Sequence, residues 1–317
     1  MNRPKTTPGF VSAQEFDRLF ECVSNWGCWG VDDELGTLNH LKPEHVRNAA
    51  SLVKSGCSVS LSLPINTVAG PDNPRPSAHY MVKMHELHPA HGEPRFAGDY
   101  LGSEIHGDSR THLDALCHVS YRGKLYNGRS PESVTSRGAT QMDITTYVHG
   151  IVGRGVLLDI PRFRGVKWLE PGEAVTAEEI EAVAQFENVR LAEGDLLLFR
   201  TGHHRRRIEL GPWNTGPEGE GTAGLHVNAM PLLHRHRIAA FLPDGDGETI
   251  PANVEGVTYP VHALQIVAMG MACGDNLQFE ELVKMCEEEN RWAFLVVAAP
   301  LRLPNGTGSL FNPIAIF

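Results

Sequence analysis

Apolar positions along the chain fall into short blocks with two different spacings. Phe16, Leu19, Phe20 and Val23 recur at helical intervals, and Ser12 followed by Glu15 is a capping-box signature, so a helix is expected to open there. Pro43 starts a second helical stretch reaching about Lys54, with Gly56 after its end. Residues 57–63 (CSVSLSL) switch to period two, the mark of a half-buried strand. Further strands are expected within 150–160 (GIVGRGVLLDI), 194–202 (GDLLLFRTG), 237–242 (RIAAFL) and the run FLVVAAPLRL from Phe294. Between them, Thr176 with Glu179 starts another capped helix through about Phe186, and Pro231 opens a short one.

Strands and helices alternate irregularly and no internal repeat is visible. That pattern predicts a mixed α/β architecture rather than a doubly wound sheet. No Ser/Gly/Pro linker divides residues 1–317, so a single domain is expected. Residues 211–224 (GPWNTGPEGEGTAG) read as a surface excursion. The Pro-, Gly- and His-rich stretch between residues 64 and 99 is too long for a plain connection, which points to a functional loop or short strands.

Composition narrows the function classes. At 41% hydrophobic and 21% charged, the 317 residues suit an ordinary globular core. A net charge of −10 argues against nucleic acid or an anionic membrane as partner. One basic run, HHRRR at 203–207, interrupts the acidic background; a solvated face is its first reading and an anion-binding patch its second. The first ten residues contain no apolar signal-like segment, and the FLVVAAPL run is too short to span a bilayer. Six scattered cysteines make no disulfide framework, so a reducing cytoplasm is the expected location. The sixteen histidines are the feature to follow.

Residues 106–119 (HGDSRTHLDALCHV) hold three histidines and two aspartates. If the chain is extended from 111 to 118, His112 and Asp114 share one face, joined by His118 if the extension lasts. Ser109, Leu113 and Cys117 then face the other way, which makes Cys117 a small core residue. Two imidazoles and a carboxylate form a donor set that Zn²⁺ or Mn²⁺ accepts. On spacing alone, a metal site and a polar loop weigh about equally. A second candidate is His262, in PVHALQIVAMGMACGDNL. A helix from 260 to 269 ending at Gly270 would let residues 271–274 run back toward Asp275. About seven helical residues cover ~10 Å and four or five extended ones ~15 Å, so the return closes and His262 meets Asp275. On a straight helix the two would lie ~20 Å apart.

THLDALCH resembles the THxDxxxH core of the cyclase family of metal-dependent hydrolases, which includes bacterial kynurenine formamidase and isatin hydrolase. The likeness extends to SNWGCWGVDDELGTLNHL (24–41), GRGVLLDI, GDLLLFRTG, PVHALQIVAMGM with the DNL that follows, and GTGSLFNPIAI. It implies a swivelling β/β/α-type fold, a divalent-metal site, hydrolysis of a C–N or C–O bond beside a carbonyl, and a homo-oligomer (dimer or larger). Under the resemblance His112 and Asp114 match metal ligands, His118 matches the proton-transfer histidine, and His262 matches a ligand of the second metal in dinuclear members. Two departures stand out. The formamidase pattern HxGTHxD places a histidine where this chain has Asp108; His106 lies two residues earlier with the same parity. His106 is taken as the ligand, with Asp108 as the alternative. The family glutamate is replaced by the shorter Asp275, which leaves one ion or two.

The expected function is hydrolysis of an amide, formamide or lactam C–N bond in a small-molecule substrate, with His118 as proton shuttle. Lactone hydrolysis at the same site and non-catalytic metal binding are the rivals; a basic group beside the ligands favours an enzyme. The sequence contains no GxSxG elbow for a serine hydrolase. Trp26 and Trp29 either line a flat pocket or cover the core. Arg110 either binds a substrate carboxylate or, as the first reading, faces solvent.

Overall fold

The computed structural model describes residues 9–86 and 94–317. Most of the amino-terminal segment lacking a signal-like run, and part of the stretch up to residue 99, lie outside the described residues. In chain order the strands of the main sheet are β1 (Ser58–Ser60), β2 (His112–Asp114), β3 (Ile151–Asp159), β4 (Leu196–Arg200), β5 (Ala240–Pro243), β6 (Ala272–Asp275), β7 (Ala293–Ala298), β8 (Gly308–Leu310) and β9 (Ile314–Ile316). They form one curled sheet in the order β1-β9-β7-β3-β4-β5-β6-β2-β8. From β3 through β6 the neighbours run parallel, and the remaining pairs are antiparallel.

The parallel centre explains its own sequence. Strands covered on both faces read as continuous apolar runs rather than alternating ones. Val156, Leu158, Leu197 and Phe199 enter one core, while Leu157, Leu196 and Leu198 enter the other. The first core is closed by helices Ala13–Val23, Ala177–Phe186 and Met230–Arg235. The second surrounds Leu113, Phe279 and Phe294. The result is the mixed α/β architecture expected from the alternation. Among the described residues no helix is long and apolar enough to cross a membrane.

Local signals mark several starts correctly. The Ser12 hydroxyl accepts from the Glu15 amide in a complete capping box, and Thr176 accepts from the Glu179 amide. The helix at Pro43 stops at Ala50 rather than near Lys54, because Ser51 bonds back to the Asn48 carbonyl and residues 52–53 close tighter turns. The stretch before residue 102 contains a separate antiparallel hairpin, Ala78–Lys83 with Gly98–Gly102.

Two expectations are overturned. Residues 211–224 are not a surface excursion: Trp213 is buried and donates its indole N–H to the Gly221 carbonyl at 2.9 Å, and only 217–220 form a run of exposed positions. The basic run at 203–207 is not simply a solvated face. It lies on helix His203–Leu210, where buried Arg206 pairs with Glu170 and Glu220, and Arg207 pairs with the buried carboxylate of Asp72.

Candidate metal centre

Strand β2 is three residues long and paired on both sides. His112 stands opposite Asp275 on β6, and Asp114 stands opposite Cys273. Period two puts all four side chains on one face of this ribbon, where direct cross-strand neighbours come within about 5 Å. On the other side, Gly308 of β8 is opposite Asp114. A Cβ at 308 would come within 2.7 Å of the His106 ring, so the absence of a side chain there admits His106 to the site.

The strand ends at Asp114, one turn earlier than an extended 111–118 segment would require. Residues 115–118 fold into a turn closed by the His118 amide on the Ala115 carbonyl. That turn, not strand parity, brings His118 back toward Asp114. Likewise the chain bends at 105–110 instead of running extended, so His106 and Asp108 do not share a direction. His106 Nδ1 approaches Asp114 Oδ1 at 2.8 Å, whereas Asp108 accepts from the Thr215 hydroxyl on the cavity wall.

The other sequence candidates divide plainly. His262 ends the short helix Pro260–His262, which continues as a π-helical turn over Ala263–Ala268 before Gly270 reverses the chain at φ +63°. The return along β6 brings His262 Nε2 to 3.4 Å from Asp275 Oδ2. Arg110 is buried rather than solvent-facing and donates to Asn73 Oδ1 at 2.9 Å and to the Arg75 carbonyl. Trp26 donates to the Val267 carbonyl, Trp29 packs on His40, and neither lines the cavity at the histidine cluster. Cys117 is a buried core thiol, pushed up to about 12 chiefly by burial.

That cavity measures about 250 Å³. His106, His112, Asp114, His118, His262 and Asp275 all reach it, together with Asp108, Asp246 and Tyr259. Two overlapping donor groups share Asp114: His106, His112 and Asp114, then Asp114, His262, Cys273 and Asp275. Within each group the donor atoms lie within 4.8 Å of one another.

Hydrogen bonding around the cluster fixes which nitrogens carry lone pairs. His112 Nδ1 lies 2.9 Å from the Arg110 carbonyl, which can only accept. In the neutral ring Nε2 therefore presents a lone pair, 3.5 Å from Asp114 Oδ1 and 3.8 Å from Asp275 Oδ2. His262 Nδ1 is tied to Glu248 Oε1 at 2.9 Å, which directs its Nε2 at Asp275. Carboxylate–histidine pairs of this kind are the usual support of a metal ligand.

Both Asp114 oxygens and His106 Nδ1 are buried without a hydrogen-bond partner; the 2.8 Å approach between them is close but misaligned. Buried polar atoms left this way are costly unless a positive charge joins them. The residues therefore fit a divalent cation. Protonation energetics show the same demand for positive charge. Burial alone would raise the Asp114 carboxyl, yet His118, His106 and His112 hold it well below the usual range. Burial would likewise lower His262, but Asp275, Cys273 and Glu248 keep its proton bound well above the ordinary histidine range. His118 goes the other way: burial pushes it down to about 4 despite Asp114. Burial also raises Asp246 to about 8, with Glu248, Asp275 and Asp108 adding to the shift against His262.

Glu248, Asp246 and Cys273 were not singled out by the sequence reading. The acidic, glycine-rich run 243–250 (PDGDGETI) directly follows the apolar β5 segment, at the carboxyl end of a parallel strand where ligands bind. Cys273 sits two residues before Asp275, so period two along the returning strand puts both on one face.

The model of the cyclase family matches residues 59–246. A crystal structure of a novel cyclase is 31% identical, with a TM-score of 0.84 over 94% of this chain and 99% of its own. An isatin hydrolase bound to the product analogue thioisatinate is 17% identical, with a TM-score of 0.55 over 84% of this chain and 93% of its own. Isatin hydrolase A from Labrenzia aggregata, bound to benzyl benzoate, is 19% identical, with a TM-score of 0.56 over 84% and 94%. No curated protein matches the chain.

Proposed function

The chain belongs to the cyclase family, and on that premise we propose that it is a metal-dependent hydrolase of a small carbonyl compound, cleaving an amide, formamide or lactam C–N bond. The observation that carries this reading is the buried Asp114, both of whose oxygens lack hydrogen bonds while three imidazoles converge on them. His106, His112 and Asp114 would hold the ion, and His262 with Asp275 would add donors beside it. A bound Zn²⁺ or Mn²⁺ supplies Lewis-acid polarisation of a carbonyl and lowers the pKa of water toward neutrality.

The protein's own groups do the rest. His118 stands at the cavity mouth, its side chain 31% exposed, with Nε2 3.9 Å from Asp114 Oδ2. Its neutral imidazole can take a proton from attacking water and return it to the leaving nitrogen. Glu248 orients His262 from behind, and the Arg110 carbonyl orients His112. Lactone hydrolysis would use the same groups with oxygen as the leaving atom. Within this reading the partner is a small molecule rather than nucleic acid or membrane, and the assembly is a homo-oligomer.

The test is metal analysis of the purified protein with chelator-reversible hydrolysis across a panel of formamides, lactams and lactones. Turnover that disappears with the metal and returns with Zn²⁺ or Mn²⁺ supports the proposal. Equal turnover by metal-free protein overturns it, and so does metal-loaded protein inert toward the whole panel.

A further inference from the structure

We infer that Cys273 is a metal ligand: with Asp114, His262 and Asp275 its thiolate forms a four-donor position whose coordination is complete without substrate. This position lies beside the three-donor position of His106, His112 and Asp114. The inference rests on the metal-dependent reading above and adds a division of labour to it.

The geometry begins with the strand register. Cys273 is opposite Asp114 and two residues before Asp275, so its side chain emerges among the carboxylates. Its Sγ lies 3.4 Å from Asp275 Oδ1, and His262 Nε2 lies 3.4 Å from Asp275 Oδ2. An ion with bonds of about 2.0–2.3 Å in a tetrahedron separates its donors by about 3.5 Å, and the cluster is already near that spacing. The unpartnered oxygens of Asp114, a residue 1% exposed, are the independent sign that something positive belongs there. Cys117 is the contrast: it is also buried, but it is not part of either donor group.

Donor count then separates the two positions. Structural zinc sites are filled by four protein ligands, whereas catalytic ones keep a place for water or substrate. The set with Cys273 has four protein donors; the set with His106 and His112 has three and opens toward His118. Thiolate favours zinc over manganese, while an all-nitrogen-and-oxygen set accepts either. The closed position is therefore a zinc position, and the open one is the more permissive. Binding converts the Cys273 thiol to thiolate and releases its proton to water; nothing is oxidised or reduced.

Cobalt titration of chelator-treated protein tests this without reference to activity. The wild-type protein should develop a thiolate-to-cobalt charge-transfer band in the near ultraviolet. Cys117→Ser should keep that band. Cys273→Ser should lose it, retain visible cobalt absorption, and bind zinc over manganese with at least tenfold less preference. Visible cobalt absorption without the thiolate band in wild type overturns the inference while leaving the metal-dependent reading intact. A band that survives in Cys273→Ser also overturns it. Absence of any cobalt binding overturns both. Should Cys273→Ser fail to fold, X-ray absorption of the zinc-loaded wild type decides: one sulfur neighbour at about 2.3 Å supports the inference, and a shell of nitrogen and oxygen alone overturns it.

Discussion

His106 and His118 lie face to face, ring centroids 3.5 Å apart and planes within 4°, yet they address different oxygens of one carboxylate. His106 Nδ1 meets Asp114 Oδ1 at 2.8 Å, while His118 Nε2 stands 3.9 Å from Oδ2. One imidazole is held against the carboxylate and its neighbour is left with reach. The stack also keeps the His118 ring from swinging onto the position that His106 occupies.

His118→Ala should therefore separate turnover from binding. Loss of a positioned proton carrier typically costs on the order of 10²–10⁴ in rate. Metal content per chain should stay at the wild-type value. Elemental analysis alongside steady-state kinetics reads both, and a variant stripped of metal would contradict the role given to this histidine.

Glu248 is fully buried and accepts from His262 Nδ1 and from the amides of Val261 and His262. Replacing it with Ala strands these donors, at about 1–3 kcal/mol each, and frees the His262 ring. Metal affinity should drop roughly 10- to 100-fold, since supporting carboxylates of metal-bound histidines carry about that much. Glu248→Gln keeps the acceptor oxygen and should fall between, in both denaturant melts and metal titrations.

Gly270 turns the chain between His262 and Asp275. Its φ of +63° disfavours any side chain, and a Cβ would come within 2.5 Å of the Tyr126 ring. Gly270→Ala should destabilise the protein by several kcal/mol, from backbone strain of about 1 kcal/mol plus the clash. Calorimetry should show the loss, and residual folded protein should bind metal more weakly because the reversal sets the His262–Asp275 distance. Wild-type melting in this variant would mean the turn is not what joins the two residues.

Glu187 gives a pH-dependent prediction away from the site. Its carboxyl accepts from the Asp159 amide at 3.0 Å, and burial raises its pKa to about 9. From about pH 4.5 to 9 the folded chain keeps a proton that the unfolded chain has lost, so stability falls as pH rises through this window. The slope from this group is at most about 1.4 kcal/mol per pH unit. Glu187→Gln should flatten it. Urea melts at pH 6 and pH 8 would show the variant gaining on wild type at the higher pH.

Much of this arrangement was legible in sequence because it depends on two short-range regularities. Period two placed His112 with Asp114, and the glycine-ended helix returned Asp275 to His262. What stayed hidden depends on contacts that no local period encodes. The turn after Asp114 is closed by one backbone hydrogen bond, and the bend at 105–110 breaks the parity that made His106 and Asp108 look equivalent. Arg206 and Arg207 read as a charge run because their partners, Glu220, Glu170 and Asp72, are distant in sequence or separated from them by a loop. Residues 211–224 read as a loop because their composition is glycine-rich, although Trp213 is buried on the Gly221 carbonyl and Thr215 bonds to Asp108 on the cavity wall.

Strand β2 owes its place to two neighbours that arrive late along the chain. Thr111, at its edge, donates to the carbonyl of Asn276, 165 positions away. The flanking strands β6 and β8 are likewise made from the last quarter of the polypeptide. His262, Cys273 and Asp275 thus have no proximity to His106, His112 and Asp114 in an unfolded or half-made chain, and contacts of such separation close only after the sheet has largely assembled. An ion shared by both donor groups would have its full set of ligands only then. Such an ion would act as a latch on the finished protein rather than a seed for folding, so its stabilising effect would appear in the rate of opening more than in the rate of assembly.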